Sequence, residues 1–413
     1  MLERLHLVNV GPAPEMTIEL GSRLNLITGD NGLGKSFLLD TIWWALARTW
    51  PSLPARPIPG SNGATIRFKF EDQRDIGEAW FDRARQSWHF KQAVPRLGLV
   101  LYARVDGGFN VWDPARNPTE SAPDSYAFQP AHVWDGLEWD GRVSCNGLIR
   151  DWVSWQRESA PTFRQLESAL AKLSPSPDEE LQAGEPTRIS LDDVRDIPTL
   201  RMPYGQDVPV LHASAGMKRI LQLAYLMVWA WHEHELASKL LGQPIAGQVV
   251  VLIDEVESHL HPKWQRLILP SLLAAAQALT RTEQTSIQVI ASTHSPLVLA
   301  SLEPHFDPSK DAWFDLDLEQ GKPDAKVQLR KREFVRHGDV SNWLTSEAFD
   351  LKSARSKDAE DAIVDAHALL RSRDPAPLSA VEAIDQKLRG VLGDVDPFWV
   401  RWSAFVEQRR AKE

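Results

Sequence analysis

The chain opens with short runs in which apolar and polar positions alternate. Leu5 and Leu7 alternate with Arg4 and His6, and the phase then slips so that Val8 and Val10 flank Asn9. Residues 16–20 follow a Gly-Pro turn, and 24–28 form an apolar run that ends in glycine. Three short strands are predicted. A helix over 35–48 follows, ended by Pro51, Pro54 and Pro57. Strand-like patterning returns over 64–70, 78–81, 99–105 and 109–112. Residues 147–173 read as helix and 174–187 as loop. A long helix is predicted over 215–241, then a buried strand over 248–253, a helix over 262–279 that Pro270 kinks, and a strand over 286–292. The last hundred residues read as a hairpin over 313–334 and helices near 339–347, 358–372 and 378–392. Strand and helix alternating around 248–302 predict a parallel α/β core.

Composition narrows the class. The 413 residues carry 46 Lys+Arg against 56 Asp+Glu, a net charge of −10, with 43% hydrophobic residues. That is enough apolar chain for a large core, and it excludes a disordered or fibrous protein. An acidic balance argues against nucleic-acid binding through overall charge, although a local basic groove stays open. A single cysteine, Cys145, excludes an internal disulfide framework. The longest nearly apolar run, 220–231, is interrupted by Gln222 and is short for a bilayer span of ~20 residues. The N-terminus lacks a signal-peptide pattern, so a soluble cytoplasmic protein without membrane partners is expected. Seventeen Trp against four Tyr is unusual. Pairs such as Trp43–Trp44, Trp229 with Trp231 and Trp399 with Trp402 read as core filler.

Gly29-Asp30-Asn31-Gly32-Leu33-Gly34-Lys35-Ser36 fits G-x-x-x-x-G-K-[ST] between an apolar strand and a helix. Glycines let backbone N–H groups wrap phosphate oxygens, and the helix end adds free N–H groups and a positive dipole. Lys35 can span the β- and γ-phosphates and the Ser36 hydroxyl can ligate Mg²⁺. The nucleotide-binding set from this loop is Gly29, Asn31, Gly32, Gly34, Lys35, Ser36 and Phe37, with ATP and Mg²⁺ as cofactors.

The strand 248–253 ends in Asp254 and Glu255, where ligands of an open parallel sheet gather. Asp254 is placed to hold Mg²⁺ and Glu255 to polarise an attacking water as general base. Their side chains alternate across the strand, so two different roles are compatible with the spacing. His294, just past the strand 286–292, is a candidate sensor of the γ-phosphate, against the plainer account of a structural histidine.

Four ordered motifs together resemble the ATP-binding-cassette ATPases. Asp254-Glu255-Val256-Glu257-Ser258-His259-Leu260-His261-Pro262 is similar to the Walker B segment and D-loop of the soluble OLD-type and RecF-like branch, and Ile290 through Pro296 to its switch-histidine loop. His212-Ala213-Ser214-Ala215-Gly216-Met217-Lys218 resembles the signature motif. Ala215 and Met217 depart from the signature consensus and His261 stands where the D-loop carries aspartate, whereas Ser214 and Gly216 keep the pair that touches the γ-phosphate. The resemblance implies a mechanism in trans, in which Ser214 and Gly216 cap ATP held by a second protomer in a homodimer or higher homo-oligomer. It also implies a Q-loop glutamine that helps hold Mg²⁺. Gln129 is the candidate, with Gln86, Gln92 and Gln156 competing.

The implied fold is α/β: an ATPase head with a P-loop parallel core sheet, an N-terminal antiparallel β subdomain, a helical insertion and a mainly helical C-terminal region. The corresponding division is 1–146, 147–213, 214–305 and 306–413, the last a candidate partner-binding region. Only 178 residues separate Ser36 from Ser214, with no heptads, which excludes a long coiled-coil arm. Asp315-Leu316-Asp317 invites a nuclease metal motif but lies too close to His294, and reads as strand alternation with solvated acids. The chain is therefore similar to stand-alone ATPase subunits of bacterial anti-phage systems of the Septu type, whose partner is an HNH nuclease. Two alternatives stay open: a RecF-like repair clamp that binds DNA directly, and a nucleotide-gated scaffold with little turnover.

Overall fold

The computed structural model describes all residues except 72, 74–75, 92–97, 119–121, 281–284, 320–324, 350, 373–375 and 412–413. It divides into two compact units, Met1–Trp343 and Leu344–Glu413.

Continuous apolar runs make the centre of the first unit. An eight-stranded sheet runs in the order Val327–Arg332, Ala312–Leu318, Leu24–Gly29, Ser286–Ser292, Gln248–Ile253, Leu99–Ala103, Phe109–Trp112, Tyr126–Phe128. The five strands from Ala312–Leu318 to Leu99–Ala103 are parallel, and antiparallel strands flank them. Strands covered on both faces need no polar alternation, which is why they read as unbroken apolar segments.

A second sheet is antiparallel and five-stranded, in the order Glu15–Glu19, Leu2–Val8, Thr65–Phe70, Gly77–Asp82, Ser87–Phe90. Helix Lys35–Ala47 lies between the two sheets, and its buried face includes Leu38, Leu39, Ile42, Trp43 and Trp44. A helix apolar on nearly every side is what a sandwiched position requires. Trp44 stacks on Trp50 and Phe90 and meets Phe68 edge-on, so the tryptophan pair does fill the core. Helices Leu148–Arg157, Pro161–Leu173, Ala215–Leu241 and Ile268–Thr280 complete the unit.

Several expected elements differ in detail. The predicted kink at Pro270 is instead a break: a short helix Pro262–Gln265 precedes Ile268–Thr280, and Pro270 sits in the first turn of the second helix, where no N–H is needed. The expected C-terminal hairpin, Ala312–Leu318 with Val327–Arg332, is built into the main sheet beside Leu24–Gly29. Asp315 is not a solvated acid. It is buried, accepts from Thr28 Oγ1 at 2.9 Å and from Arg332 at 3.1 Å, and burial pushes its carboxyl up. Strands such as Ser87–Phe90, Arg142–Cys145 and Thr199–Arg201 carry no periodic signal in the sequence.

The second unit packs helices Lys357–Arg371, Leu378–Val391 and Phe398–Arg410 around Ala362, Ala366, Val381, Leu388 and Trp402. Ser356 caps the first of these through the Ala359 N–H. Trp402 Nε1 donates to Asp385 at 3.0 Å, satisfying the one polar atom of a buried ring. Among the described residues, no helix is long and apolar enough to cross a membrane.

Candidate nucleotide site at the sheet's carboxyl edge

The loop after strand Leu24–Gly29 is glycine-dependent at two positions for separate reasons. Gly29 has φ +130°, and a Cβ there would stand 2.2 Å from the Leu316 carbonyl oxygen. Gly34 has φ +104°, and a Cβ would stand 2.8 Å from Pro12 Cγ. The loop is thus held between the neighbouring strand and the turn at Pro12. Gly34 is the N-cap of helix Lys35–Ala47 and gives it no side-chain acceptor, so the first-turn N–H groups face the loop without a capping side chain.

Lys35 is 6% exposed, and its ammonium donates to the carbonyls of Gly29 at 2.7 Å and Asp30 at 2.9 Å. Burial pulls its pKa down, opposed by Asp254, Glu255, Asp30 and Glu257. Asn31, Gly32 and Ser36 are exposed. Phe37 is half-buried, and its ring lies where a Cβ on Gly11 would fall, so its place is in packing against the Gly11–Pro12 turn.

Asp254 ends the strand Gln248–Ile253 and is 2% exposed. Ser292 Oγ donates to Asp254 Oδ1 at 2.6 Å and accepts from the Glu255 N–H at 2.7 Å, so one hydroxyl sets both acids. Glu255 has φ +47°, a left-handed conformation uncommon for a side-chain-bearing residue. His294 Nε2 stands 3.9 Å from Glu255 Oε1. Burial and then the Lys35 charge lower the His294 pKa, against the pull of Glu257, Glu255 and Asp254. A neutral imidazole can donate a hydrogen bond to an anion without adding a charge. Glu257, part of the motif but not assigned a role by sequence reasoning, braces this loop: it accepts from Thr293 Oγ1 at 2.7 Å and from the His294 N–H.

Lys35, Asp254, Glu255 and His294 therefore meet at one edge, although 259 residues separate Lys35 from His294. Ser36 and Asp254 offer oxygen donors, a set that fits a hard divalent cation such as Mg²⁺.

Two groups of expected residues lie elsewhere. Ser214 is exposed and caps helix Ala215–Leu241, its Oγ accepting from the Met217 N–H at 3.3 Å. Gly216 is buried, and a Cβ on it would meet the His259 carbonyl oxygen at 2.7 Å, so this glycine seats the helix on the segment after Glu255. Gln129 stands farther along the sheet from Lys35. It is exposed at the N-cap of helix Pro130–Asp135 and follows the edge strand Tyr126–Phe128, with four strands between it and Leu24–Gly29. Gln86 lies in the turn before Ser87–Phe90, bonded to Arg56 and to the Arg83 carbonyl. Gln156 bonds Trp152 and the Gly184 carbonyl, and Gln92 lies outside the described residues.

The residue that follows the strand beside Asp254 is Arg104. The Asp254 N–H donates to the Ala103 carbonyl at 2.9 Å. The Arg104 guanidinium binds the Pro51 carbonyl at 3.0 Å and Asp106 at 3.1 Å, and the Arg104 carbonyl accepts from Arg219 at 2.9 Å. Sequence reasoning had no signal for this residue, because its place depends on the pairing of strands 150 residues apart.

Residues 4–99 match the family described as "AAA domain", and residues 114–300 match "AAA domain, putative AbiEii toxin, Type IV TA system". Among curated proteins, "Retron Vc95 probable ATPase" of Vibrio cholerae serotype O1 biovar El Tor is 35% identical over 106 residues, 24% of this chain and 17% of that protein. "Retron Ec83 probable ATPase" of Escherichia coli is 32% identical over 151 residues, 36% of this chain and 23% of that protein. The chain thus spans under a quarter of the length of these relatives. Among solved structures, the SMC head domain from Thermotoga maritima aligns at 14% identity over 80% of this chain and 99% of its own, with a TM-score of 0.41. The recombination mediator protein RecF aligns at 13% identity over 77% and 96%, with a TM-score of 0.38. Two stretches of the chain thus match AAA-domain families, and part of its length is similar to the retron probable ATPases.

Proposed function

We propose that the chain binds ATP with Mg²⁺ and hydrolyses it, closes as a homodimer or larger assembly when ATP is bound, and so regulates a separate effector in anti-phage defence. The observation that carries this reading is a division of the motif residues. Lys35, Asp254, Glu255 and His294 converge at one sheet edge, whereas Ser214 begins a helix whose N-terminus is exposed.

In this reading the loop N–H groups and Lys35 hold the β- and γ-phosphates, and Ser36 with Asp254 holds Mg²⁺, which neutralises charge on the phosphate oxygens. Glu255, set by Ser292, takes the proton of the attacking water. His294 donates to the γ-phosphate. Ser214 and Gly216 of a neighbouring protomer close the site from the other side, where a helix N-terminus favours an anion. The relatives' description as probable ATPases of retrons supports both the activity and the defence context. An HNH-type nuclease is the effector class we assign.

The test is Glu255→Gln, which keeps the side-chain shape and removes the base. With saturating ATP and Mg²⁺ the variant is expected to accumulate as a dimer or larger species in light scattering. A variant that binds ATP yet stays monomeric would overturn capping in trans. Mass spectrometry of the tagged variant drawn from its native cells then names the effector, and recovery of the chain alone removes effector control.

A further inference from the structure

Ser36 and Asp40 are four residues apart on helix Lys35–Ala47, so they share one face, one turn apart. Across from them, Tyr102 pairs with Leu252, and both pack in the core around this helix. Side chains alternate along a strand, so Asp254, two residues after Leu252, projects to the same side as Tyr102. Ser292 supports this placement: it follows Ile290 of that core by two residues, and its hydroxyl bonds Asp254.

Asp40 is fixed in this space. The buried Tyr102 hydroxyl donates to its Oδ1 at 2.9 Å, and Ser52 Oγ approaches Oδ2 at 3.5 Å. The nearby cations are committed elsewhere: Lys35 to the carbonyls of Gly29 and Asp30, Arg104 to Pro51 and Asp106. Among the described residues neither Asp40 nor Asp254 has an ion-pair partner. Burial is the larger reason that the Asp40 carboxyl is pushed up to about 6, and the charge of Asp254 adds to it. Tyr102 is itself shifted upward by burial and by both aspartates. The charges of Arg104 and Lys35 reach Asp40 and Asp254 respectively, but neither forms an ion pair with them, and two carboxylates facing one space favour a cation between them.

We propose that Asp40 is a positioning residue for the divalent cation of the nucleotide site, facing it together with Ser36 and Asp254. It lies outside the phosphate-loop motif, and Tyr102 holds its carboxylate in the required orientation. This inference rests on the nucleotide-site reading above.

The experiment follows Mn²⁺ bound to the protein–ATP complex by electron paramagnetic resonance, alongside ATP binding in EDTA. Asp40→Asn keeps the shape and the acceptor for Tyr102. It is expected to raise the Mn²⁺ concentration for half-saturation about tenfold and to leave ATP affinity in EDTA unchanged. Wild-type Mn²⁺ affinity in a folded Asp40→Asn protein overturns the proposal. If that variant does not fold, Tyr102→Phe keeps the carboxylate and removes the group that orients it. A rise of about threefold then supports the proposal, and no change overturns it. Wild-type protein that binds no ATP at all overturns the nucleotide reading itself, so the two failures are distinguishable.

Discussion

Two helices begin at the motifs that matter most, and they begin differently. Helix Lys35–Ala47 starts from a glycine, offers no capping side chain, and carries a first residue that is 6% exposed and wrapped by its own loop. Helix Ala215–Leu241 starts from Ser214, which is exposed and uses its hydroxyl to cap the helix. The first N-terminus faces the carboxylates Asp254 and Glu255 of the same chain. The second is seated by Gly216 against the His259 carbonyl, on the segment that leads away from Glu255. One terminus is completed within the chain, and the other is an anion-favouring end turned to solvent. On the proposed function, this difference is what would let one chain hold a nucleotide and still need a second copy to act on it.

The largest effect is expected at the first terminus. On the proposed function, Lys35→Ala removes a charged donor to phosphate, a contact worth about 3 kcal/mol, so ATP affinity should fall about a hundredfold. Calorimetric titration with an ATP analogue checks this, and unchanged affinity would dissolve the contrast between the two helices. A smaller effect is expected at the second. Ser214→Ala removes one N-cap hydrogen bond, costing about 1 kcal/mol of stability. Monomer affinity for ATP should stay the same while ATP-dependent dimerisation weakens about tenfold in light scattering. Equal loss in both assays would place Ser214 in its own chain's site.

How much of this was legible in the sequence follows from the physics of each part. The central strands were readable because strands buried on both faces need long apolar runs, and Gln248–Ile253 and Ser286–Ser292 lie where those runs predict. The glycines of the phosphate loop and the acids that end a strand are local requirements, so they stand in the sequence as motifs. Asp40, Arg104 and Glu257 are different. Asp40 depends on Tyr102 across the helix–sheet gap, and Arg104 on strand pairing with a segment 150 residues away. Glu257 depends on where the loop after Ser286–Ser292 returns. None of these carries a local pattern. Gln129 illustrates the converse. Its strand is three residues long at a sheet edge, where pairing rather than periodicity makes the strand, and the glutamine goes with that edge.

The smallest effect sharpens the comparison through charge. His294 belongs to the first helix's site, and burial with the Lys35 charge lowers its pKa below 6.5. Between the lowered value and 6.5 the unfolded chain binds more protons than the folded one, so this residue's contribution to stability rises with pH and is lost as pH falls below 6.5. Asp40, raised to about 6, acts in the opposite sense: between about 4 and 6 the folded chain holds the extra proton, and stability falls as pH rises. The wild-type profile therefore mixes two slopes over adjacent windows. His294→Gln isolates one of them. The melting-temperature difference between wild type and His294→Gln should shrink as pH rises from 5.5 to 7. The hydrolysis rate of the wild type, if a neutral imidazole does the sensing, should stay level from pH 8 down to 6.5. An inflection at 6.5, together with a pH-independent melting difference, would mean that Lys35 and His294 do not share a site.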